Sequence, residues 1–251
     1  MLLGEPERTQ ADLCFRLLGI PVRVHPFFWL VAVILGANFI EGPKDLVLWL
    51  LAVFTAILVH ELGHAVVMRL FGYRPSITLY GLGGYASYDR FWRGSGWGGG
   101  AFGQILISAA GPGASLLLAF LIIVGVWVTG HPVRFFWGLP YGFTAVFALG
   151  FSEILDQFLL WLTGVLIAWS FLNLLPIYPL DGGQIARELL VWANPRQGIL
   201  QSLVLSVLVA GAFCAASLVL WKSWFLAILF GYLAFANFMT LQASGGRSSG
   251  W

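Results

Sequence analysis

The sequence predicts an all-α membrane protein with six transmembrane helices and a membrane-associated β-hairpin after the second helix. Hydrophobic residues make up 59% of the 251 residues and charged residues only 10%, whereas soluble domains carry about 25% charged residues. Apolar segments recur along the chain, each near the roughly 20 residues that a helix needs to cross a bilayer. No polar segment between them is long enough for a soluble domain, so we expect a single integral membrane domain over residues 1–251.

Composition also excludes several classes of protein. The formal net charge of +2 is too small to indicate a nucleic-acid-binding protein, so we expect no nucleic-acid partner. With only two cysteines, Cys14 and Cys214, we expect neither a disulfide framework nor a cysteine-based zinc site. Residues 1–14 have mixed charge and no compact apolar core, which is not the pattern of a cleaved signal peptide. We therefore expect the first apolar segment to remain as a membrane anchor.

Six apolar segments are predicted to span the membrane. The first is the shortest and contains Asn38. A further apolar stretch, residues 135–150, is interrupted by two glycines and a proline, and we predict that it forms a loop at the membrane interface. The predicted spans are residues 26–40, 45–71, 104–129, 152–175, 200–220 and 224–241.

The basic residues predict how these spans are oriented. With a cytosolic N-terminus, ten basic residues lie on the cytosolic side and three on the opposite side, which matches the positive-inside rule. We therefore expect a cytosolic N-terminus and, as the simplest location, the inner (plasma) membrane of a bacterium. The ten residues are Arg8, Arg16, Arg23, Arg69, Arg74, Arg90, Arg93, Arg187, Arg196 and Arg247, and the other three are Lys44, Arg134 and Lys222.

The pentapeptide His60-Glu61-Leu62-Gly63-His64, inside the second predicted span, predicts a zinc site. Residues four apart share one face of a helix, so His60 and His64 can present two imidazoles to one ion. Glu61 lies beside them and can take a proton from a zinc-bound water. Three ionisable groups within a hydrocarbon layer need a functional reason, which favours zinc over a chance match to the motif.

A catalytic zinc usually has three protein ligands and one water, and Asp181 is the best candidate for the third ligand. Pro176 and Pro179 cannot continue a helix, so we expect the fourth span to unwind before Asp181. Irregular backbone at membrane depth is tolerated where it lines a cavity. The alternative is that Asp181 is only the N-cap of a helix through residues 184–190. The need of the distant motif for one more ligand favours the metal, and we expect one Zn²⁺ per chain.

Three further features bear on this site. Asn173 is either an interhelical hydrogen-bonding residue or a group that faces the substrate and stabilises the oxyanion, and both readings stay open. The small residues 111–115 predict close packing of the third span, which would help hold the site on the second. Residues 76–88 combine an alternating, strand-like run with glycines, and they predict the β-hairpin.

Together these motifs resemble the site-2 protease family of intramembrane zinc metalloproteases. Three elements match in order: His60-Glu61-x-x-His64 in a transmembrane helix, Gly111-Pro112 in the next span, and Asn173-x-x-Pro176 followed by Asp181-Gly182. The opening segment, residues 19–26, is similar to the start of compact bacterial members. The resemblance covers roughly residues 16–240.

The resemblance implies a fold and an activity. It implies zinc on His60, His64 and Asp181, with Glu61 as the catalytic base. It also implies that the hairpin after the second helix pairs with an unfolded segment of substrate. Members typically cleave single-span membrane proteins, often regulatory ones, so we expect such substrates and the lipid bilayer as partners.

The chain departs from the family pattern at one position and in its length. Ser115 stands where the family usually has Asn, which leaves the role of that side chain open, although serine can still form a hydrogen bond. Neither a PDZ domain nor a C-terminal CBS pair fits into the sequence. The sequence does not predict the oligomeric state.

Two functions of other classes stay open at this point. Histidine and acidic residues within a membrane also mark ion pathways, so a metal transporter or sensor is an alternative, although most of the other spans offer few polar groups for a route. A catalytically dead scaffold that binds membrane proteins is the second alternative, and the intact Glu61 argues against it. A membrane-anchored protease of the soluble type is a weaker enzyme alternative, since it would need a downstream Glu or His as third ligand.

Overall fold

The structure is a computed structural model. It describes seven ranges of the chain, which are given at the end of this paragraph. They divide into two compact units: an amino-terminal unit of Leu3–Gly98 with Ala110–Ser170, and a carboxy-terminal unit that contains Gly99–Ala109 and Phe171–Trp251. Asn38, Arg90, Arg93 and Arg247, used in the sequence predictions, lie outside the described residues. The described ranges are residues 7–37, 40–81, 83–88, 99–131, 133–138, 142–147 and 152–245.

A four-stranded sheet lies in the amino-terminal unit, with its strands in the order β1-β2-β3-β4. An N-terminal hairpin that the sequence analysis did not predict contributes β1 and β2. β2 pairs in parallel with β3, where Val22 lies opposite Ile77, and β3 pairs antiparallel with β4. The strands are β1 (Leu13–Leu17), β2 (Ile20–Val24), β3 (Pro75–Tyr80) and β4 (Gly83–Tyr88).

The pair β3–β4 covers the segment for which the sequence predicts a hairpin. Alternate residues of β2 and β3 face the core, as the two-residue period of a strand requires: Ile20, Val22, Val24, Ile77 and Leu79 are all buried. They pack with apolar side chains of the first two helices in one hydrophobic cluster. A contact between these strands and a membrane stays a prediction.

Helices make up the rest of the amino-terminal unit. α1 (Pro26–Gly36) begins with a proline at its first position, a favoured place, and the Nδ1 atom of its N-cap, His25, accepts a hydrogen bond of 3.1 Å from the Phe27 amide. α2 (Pro43–Leu70) also begins with proline. Two long helices follow in sequence, and both also contribute residues to the carboxy-terminal unit: α3 (Ala101–Val128) and α4 (Glu153–Asn173).

The first predicted span, residues 26–40, is shorter in the structure than expected. α1 has 11 residues, which at about 1.5 Å per residue cannot cross a hydrocarbon layer of about 30 Å. Apolar composition alone determined the predicted length, whereas the helix ends at Gly36, a residue of weak helix propensity. Of the described helices, five are long and apolar enough to cross a membrane, not six: α2, α3, α4, and two that follow below, α6 and α7.

Although α1 is short, it leads from one end of α2 towards the first turns of that helix. Arg69, in the last turn of α2, donates a hydrogen bond to the carbonyl of Leu18, which places the β1–β2 hairpin at that end. Near the first turns of α2, the Nε1 atom of Trp49 donates to the carbonyl of Ala32 in α1, at 2.7 Å. The N-terminal strands and β3 therefore lie at the same end of α2.

α2 and α4 run in the same direction. Lys44 and Glu153, each in the first turn of its helix, form an ion pair of 2.7 Å. One turn or more further along, the rings of Trp49 and Trp161 meet edge to face at 5.8 Å between centroids. This arrangement agrees with the predicted orientation, in which the second and fourth spans share one direction.

The prediction that residues 135–150 form a loop is wrong, because the described part of this stretch contains two strands. β5 (Val133–Gly138) and β6 (Gly142–Phe147) form an antiparallel pair, with Gly138 opposite Gly142. The aromatic and β-branched residues of this stretch favour strands, and its glycines lie at the ends that face the connection. The interruptions that the sequence analysis took for a loop therefore separate two strands.

Three helices form most of the carboxy-terminal unit. α5 (Asp181–Ala193) follows the irregular segment after α4, and α6 (Gly198–Val219) and α7 (Trp224–Gly245) form an antiparallel hairpin. Their bounds lie close to those of the fifth and sixth predicted spans. Ala210, Phe230 and Leu233 pack in one buried cluster with Ile177 from the segment before α5.

We predict that Gly36→Ala destabilises the packing of α1 on α2. A Cβ atom at this position would overlap the indole of Trp49, and overpacking of this kind costs about 1–3 kcal/mol. Thermal unfolding of the purified protein in detergent should occur at a lower temperature than in the wild type. Gly125→Ala is the control, because an added Cβ there meets nothing within 4 Å. An unchanged unfolding temperature for Gly36→Ala would contradict this packing.

Candidate metal centre

Two imidazoles from α2 converge on one point. His60 and His64 lie one helical turn apart, and their Nε2 atoms are 3.2 Å from each other. Both side chains are buried, with 2% and 7% of their surface exposed. A tetrahedral zinc ion with bonds of about 2.0–2.1 Å to nitrogen holds its donor atoms roughly 3.3 Å apart. The spacing of the two nitrogens therefore suits a shared zinc ion.

Asp181 is the first residue of α5, and the N-cap of this helix is Leu180. The alternative that Asp181 serves only as the N-cap is therefore wrong. As the two prolines predict, α4 ends at Asn173 and an irregular segment precedes α5. Added Cβ atoms at Gly182 and Gly183 would overlap the backbone of this segment, so only glycine lets it fold closely over the first turn of α5.

The structure brings the three predicted metal ligands together. The ligand atoms of His60, His64 and Asp181 lie within 4.8 Å of one another, and all three residues are buried. Two imidazole nitrogens and one carboxylate oxygen are a donor set that catalytic zinc sites use. The donor set, its burial and the spacing of its atoms all fit a zinc ion.

A hydroxyl group lies behind one of the imidazoles. Ser115 on α3 is fully buried, and its Oγ is 3.5 Å from the Nδ1 of His60. An imidazole that binds a metal through Nε2 usually donates its other N–H to an acceptor, which fixes the ring orientation. This contact places the hydroxyl of Ser115, a residue whose role the sequence leaves open, where it can accept a hydrogen bond from the Nδ1 of His60.

Glycines allow α3 to approach the pentapeptide closely. A Cβ at Gly111 would overlap the Nε2 of His64, and a Cβ at Gly63 would overlap the carbonyl oxygen of Ala110. The two helices therefore meet at distances that larger residues do not permit. This agrees with the close packing that residues 111–115 predict.

Glu61 is buried beneath β4. Only 5% of its surface is exposed, and a Cβ at Gly84 would overlap its Cγ atom. β4 is one of the two edge strands of the described sheet. The predicted base therefore lies directly under an edge strand, a neighbour that the sequence analysis did not identify.

Asn173 is the last residue of α4 and is also buried, with 8% of its surface exposed. A role in holding the substrate or the oxyanion stays a prediction.

Comparison with known proteins identifies a family. The sequence profile of peptidase family M50 matches residues 48–215. A zinc metalloprotease of Methanocaldococcus jannaschii is 25% identical over 195 residues, which are 75% of this chain and 47% of that protein. A second relative, from Synechocystis sp., is 29% identical over 208 residues, which are 73% and 46% of the two chains.

The fold is also similar to a solved structure. The site-2 protease from Methanocaldococcus jannaschii matches with a TM-score of 0.54 at 21% identity, over 92% of this chain and 95% of that one. In contrast, the chain spans about half the length of the curated relatives that it matches.

We predict that Ser115→Ala weakens zinc binding. Loss of a group that orients a metal-binding histidine typically lowers metal affinity about 10- to 100-fold. Competition against a chromophoric chelator measures this affinity in the purified protein. Ser217→Ala is the matched control, since this buried serine in α6 bonds only within its own helix, to the carbonyl of Phe213. If Ser115→Ala and the wild type bind zinc with equal affinity, Ser115 does not contribute to the metal centre.

Proposed function

Because this chain belongs to peptidase family M50, we propose that it is a zinc-dependent endopeptidase that cleaves single-span membrane proteins in or near their transmembrane segments, as in regulated proteolysis. The observation that carries this proposal is the buried group of His60, His64 and Asp181. Two of its members lie in a helix long and apolar enough to cross a membrane. With five such helices among its described residues, the chain is an integral membrane protein.

The buried side chains have different roles in the proposed hydrolysis. A zinc ion on the three ligands would polarise the scissile carbonyl and lower the pKa of its bound water to about 7. Glu61, the next residue after His60, accepts a proton from the attacking water and then passes it to the leaving amine. Ser115, whose Oγ lies 3.5 Å from the Nδ1 of His60, would hold that ring so that its Nε2 is free to bind the ion.

The edge strand beside Glu61 suits an extended substrate. A peptide bond in a helix is shielded by the hydrogen bonds of the helix, so the substrate must unwind before it is cleaved. β4 pairs with β3 on one side and is the last strand of the described sheet. An unwound segment that adds to β4 as a further strand would pass over Glu61, which lies under Gly84.

We also propose that the end of α2 that carries β3 faces the cytosol. The parallel pairing of β2 with β3 brings the N-terminal strands to this end, so Arg16 and Arg23 join Arg69 and Arg74 there. Ten of the thirteen basic residues fall on this side of the predicted arrangement, as the positive-inside rule requires. The inner membrane of a bacterium is the simplest location. Water would reach the centre from this side, since His60 and His64 lie in the second half of α2.

Replacement of Glu61 by Gln tests the proposed reaction. We expect zinc content to stay at one ion per chain and cleavage of a single-span substrate to fall by about 10²–10⁴-fold, the usual contribution of a general base. Glu188→Gln in α5 is the matched control, because it makes the same change outside the group of ligands. Cleavage by Glu61→Gln at the wild-type rate would show that the assigned base is wrong.

Replacement of Gly84 by Ala tests the place of β4 over the base. The added Cβ would overlap Glu61, so we expect cleavage to fall at least tenfold while zinc content is unchanged. Gly99→Ala, where an added Cβ meets nothing within 4 Å, should cleave normally. The contact between β4 and Glu61 would be refuted by a Gly84→Ala variant with full activity.

A further inference from the structure

A cavity lies in the carboxy-terminal unit, apart from the residues of the metal centre. Its volume is about 320 Å³, and it opens between the first turns of α6, the last turns of α7 and the segment around Tyr178. Ligand pockets in proteins begin at about this size. The cavity contains none of the residues to which the proposed hydrolysis assigns a role, so a different ligand must be considered.

One cation lies among the described residues that line the cavity. Arg187 is half-buried and is the only charged residue in this lining. Its guanidinium lies 5.5 Å from the ring centroid of Tyr178, and none of the described residues offers it a carboxylate within salt-bridge distance. The hydroxyls of Ser202 and Thr240 in the same wall donate to the carbonyls of Ile199 and Ala236, so Arg187 supplies the N–H donors that are available to a ligand. This chemistry suits an anionic group, because arginine binds phosphate oxygens through several N–H donors.

An unpartnered acceptor lies in the same wall. Asn237 is 1% exposed, and its Nδ2 donates to the carbonyls of Tyr178 and Leu233, at 2.6 and 2.8 Å. These two acceptors determine the orientation of the amide, since the reversed amide would set oxygen against oxygen. Its Oδ1 has no hydrogen-bond partner among the described residues. A buried acceptor of this kind is costly unless a donor reaches it, so a guest should carry a hydrogen-bond donor as well as an anion.

The position of the cavity along the helices indicates which class of ligand can reach it. Except for Asn237, which lies about 12 Å from the end of α7, its lining residues on α6 and α7 lie within about one and a half turns of the end at which α6 begins, about 8 Å along helices that are long enough to cross a membrane. Lipid headgroups lie at this depth. Trp192 on the neighbouring α5 is 79% exposed, as is common for tryptophan at a membrane interface. Ile199, which lines the cavity, and Phe238 on α7 are both exposed apolar side chains that can cover the acyl chains of a lipid.

We propose that this cavity binds the headgroup of a membrane phospholipid, with its phosphate on Arg187 and a hydroxyl or ammonium donor on the Oδ1 of Asn237. Phosphatidylglycerol and phosphatidylethanolamine carry both groups. Phosphatidylcholine has the phosphate but no hydrogen-bond donor, so it satisfies Arg187 and leaves Asn237 unpaired. Free phosphate shares the anion, and only a lipid gains the apolar contacts outside the cavity.

Native mass spectrometry of the full chain, released from detergent with added lipids of matched acyl chains, tests the proposal. Phosphatidylglycerol should be retained at least fivefold more than phosphatidylcholine. Arg187→Gln should reduce its retention about tenfold, and Arg187→Lys should restore part of it. Arg196→Gln is the matched control, because this exposed arginine lies nearby in the chain but does not line the cavity. Thermal unfolding in detergent confirms that each variant is folded.

Three results would overturn the proposal. Equal retention of phosphatidylglycerol and phosphatidylcholine by the wild type would remove the role of Asn237. Equal loss in Arg187→Gln and Arg196→Gln would indicate only a general attraction of anionic lipid to basic residues. Arg187-dependent binding of inorganic phosphate without retention of any lipid would assign the cavity to a soluble anion. The proposal does not depend on peptide hydrolysis, so none of these results bears on the function proposed above.

Discussion

The central constraint on this protein is the burial of three ionisable side chains, His60, His64 and Asp181, whose ligand atoms lie within 4.8 Å of one another. Ionisable groups in a low-dielectric interior cost several kcal/mol unless they are paired. The Nε2 atoms of His60 and His64, 3.2 Å apart, cannot both carry a proton towards the other, and Asp181 adds a negative charge within 4.8 Å. A divalent cation satisfies all three donors at once. Stability and chemistry would therefore have the same origin, because an ion that offsets this burial would also activate water.

Close packing around the pentapeptide depends on glycines, which have no side chain to keep neighbouring elements apart. Gly111 leaves room for the ring of His64, Gly63 for the backbone of α3, and Gly84 for Glu61. Without a hydrophobic driving force between helices inside a bilayer, packing at short distance supplies much of the attraction. Ser115, one turn after Gly111, uses this short distance to reach His60. The small residues thus determine both how near the elements come and which polar groups meet.

Much of the centre could be predicted from the sequence, because local physics dictates it. Helical periodicity alone places His60 next to His64, and two prolines before Asp181 end any helix there. The long apolar helices follow from the thickness of a bilayer. The contacts of Ser115 and Gly84 could not be predicted, since Ser115 lies 55 residues from His60 and its contact depends on how α3 approaches α2. The strands at residues 13–24 and 133–147 were missed, because short apolar runs beside apolar spans have no period that distinguishes strand from helix.

X-ray absorption at the zinc edge of an Asp181→Cys variant tests the central claim most directly. Zinc–sulfur bonds are about 2.3 Å long, and zinc–nitrogen and zinc–oxygen bonds about 2.0–2.2 Å, so a new sulfur ligand is easily resolved. The wild type, in spite of Cys14 and Cys214, should show only nitrogen and oxygen around zinc, with the signature of two imidazoles. The variant should show one sulfur at about 2.3 Å in place of an oxygen. Zinc bound by the variant without any sulfur neighbour would contradict the assignment of residue 181 as a ligand, and with it the metal centre described here.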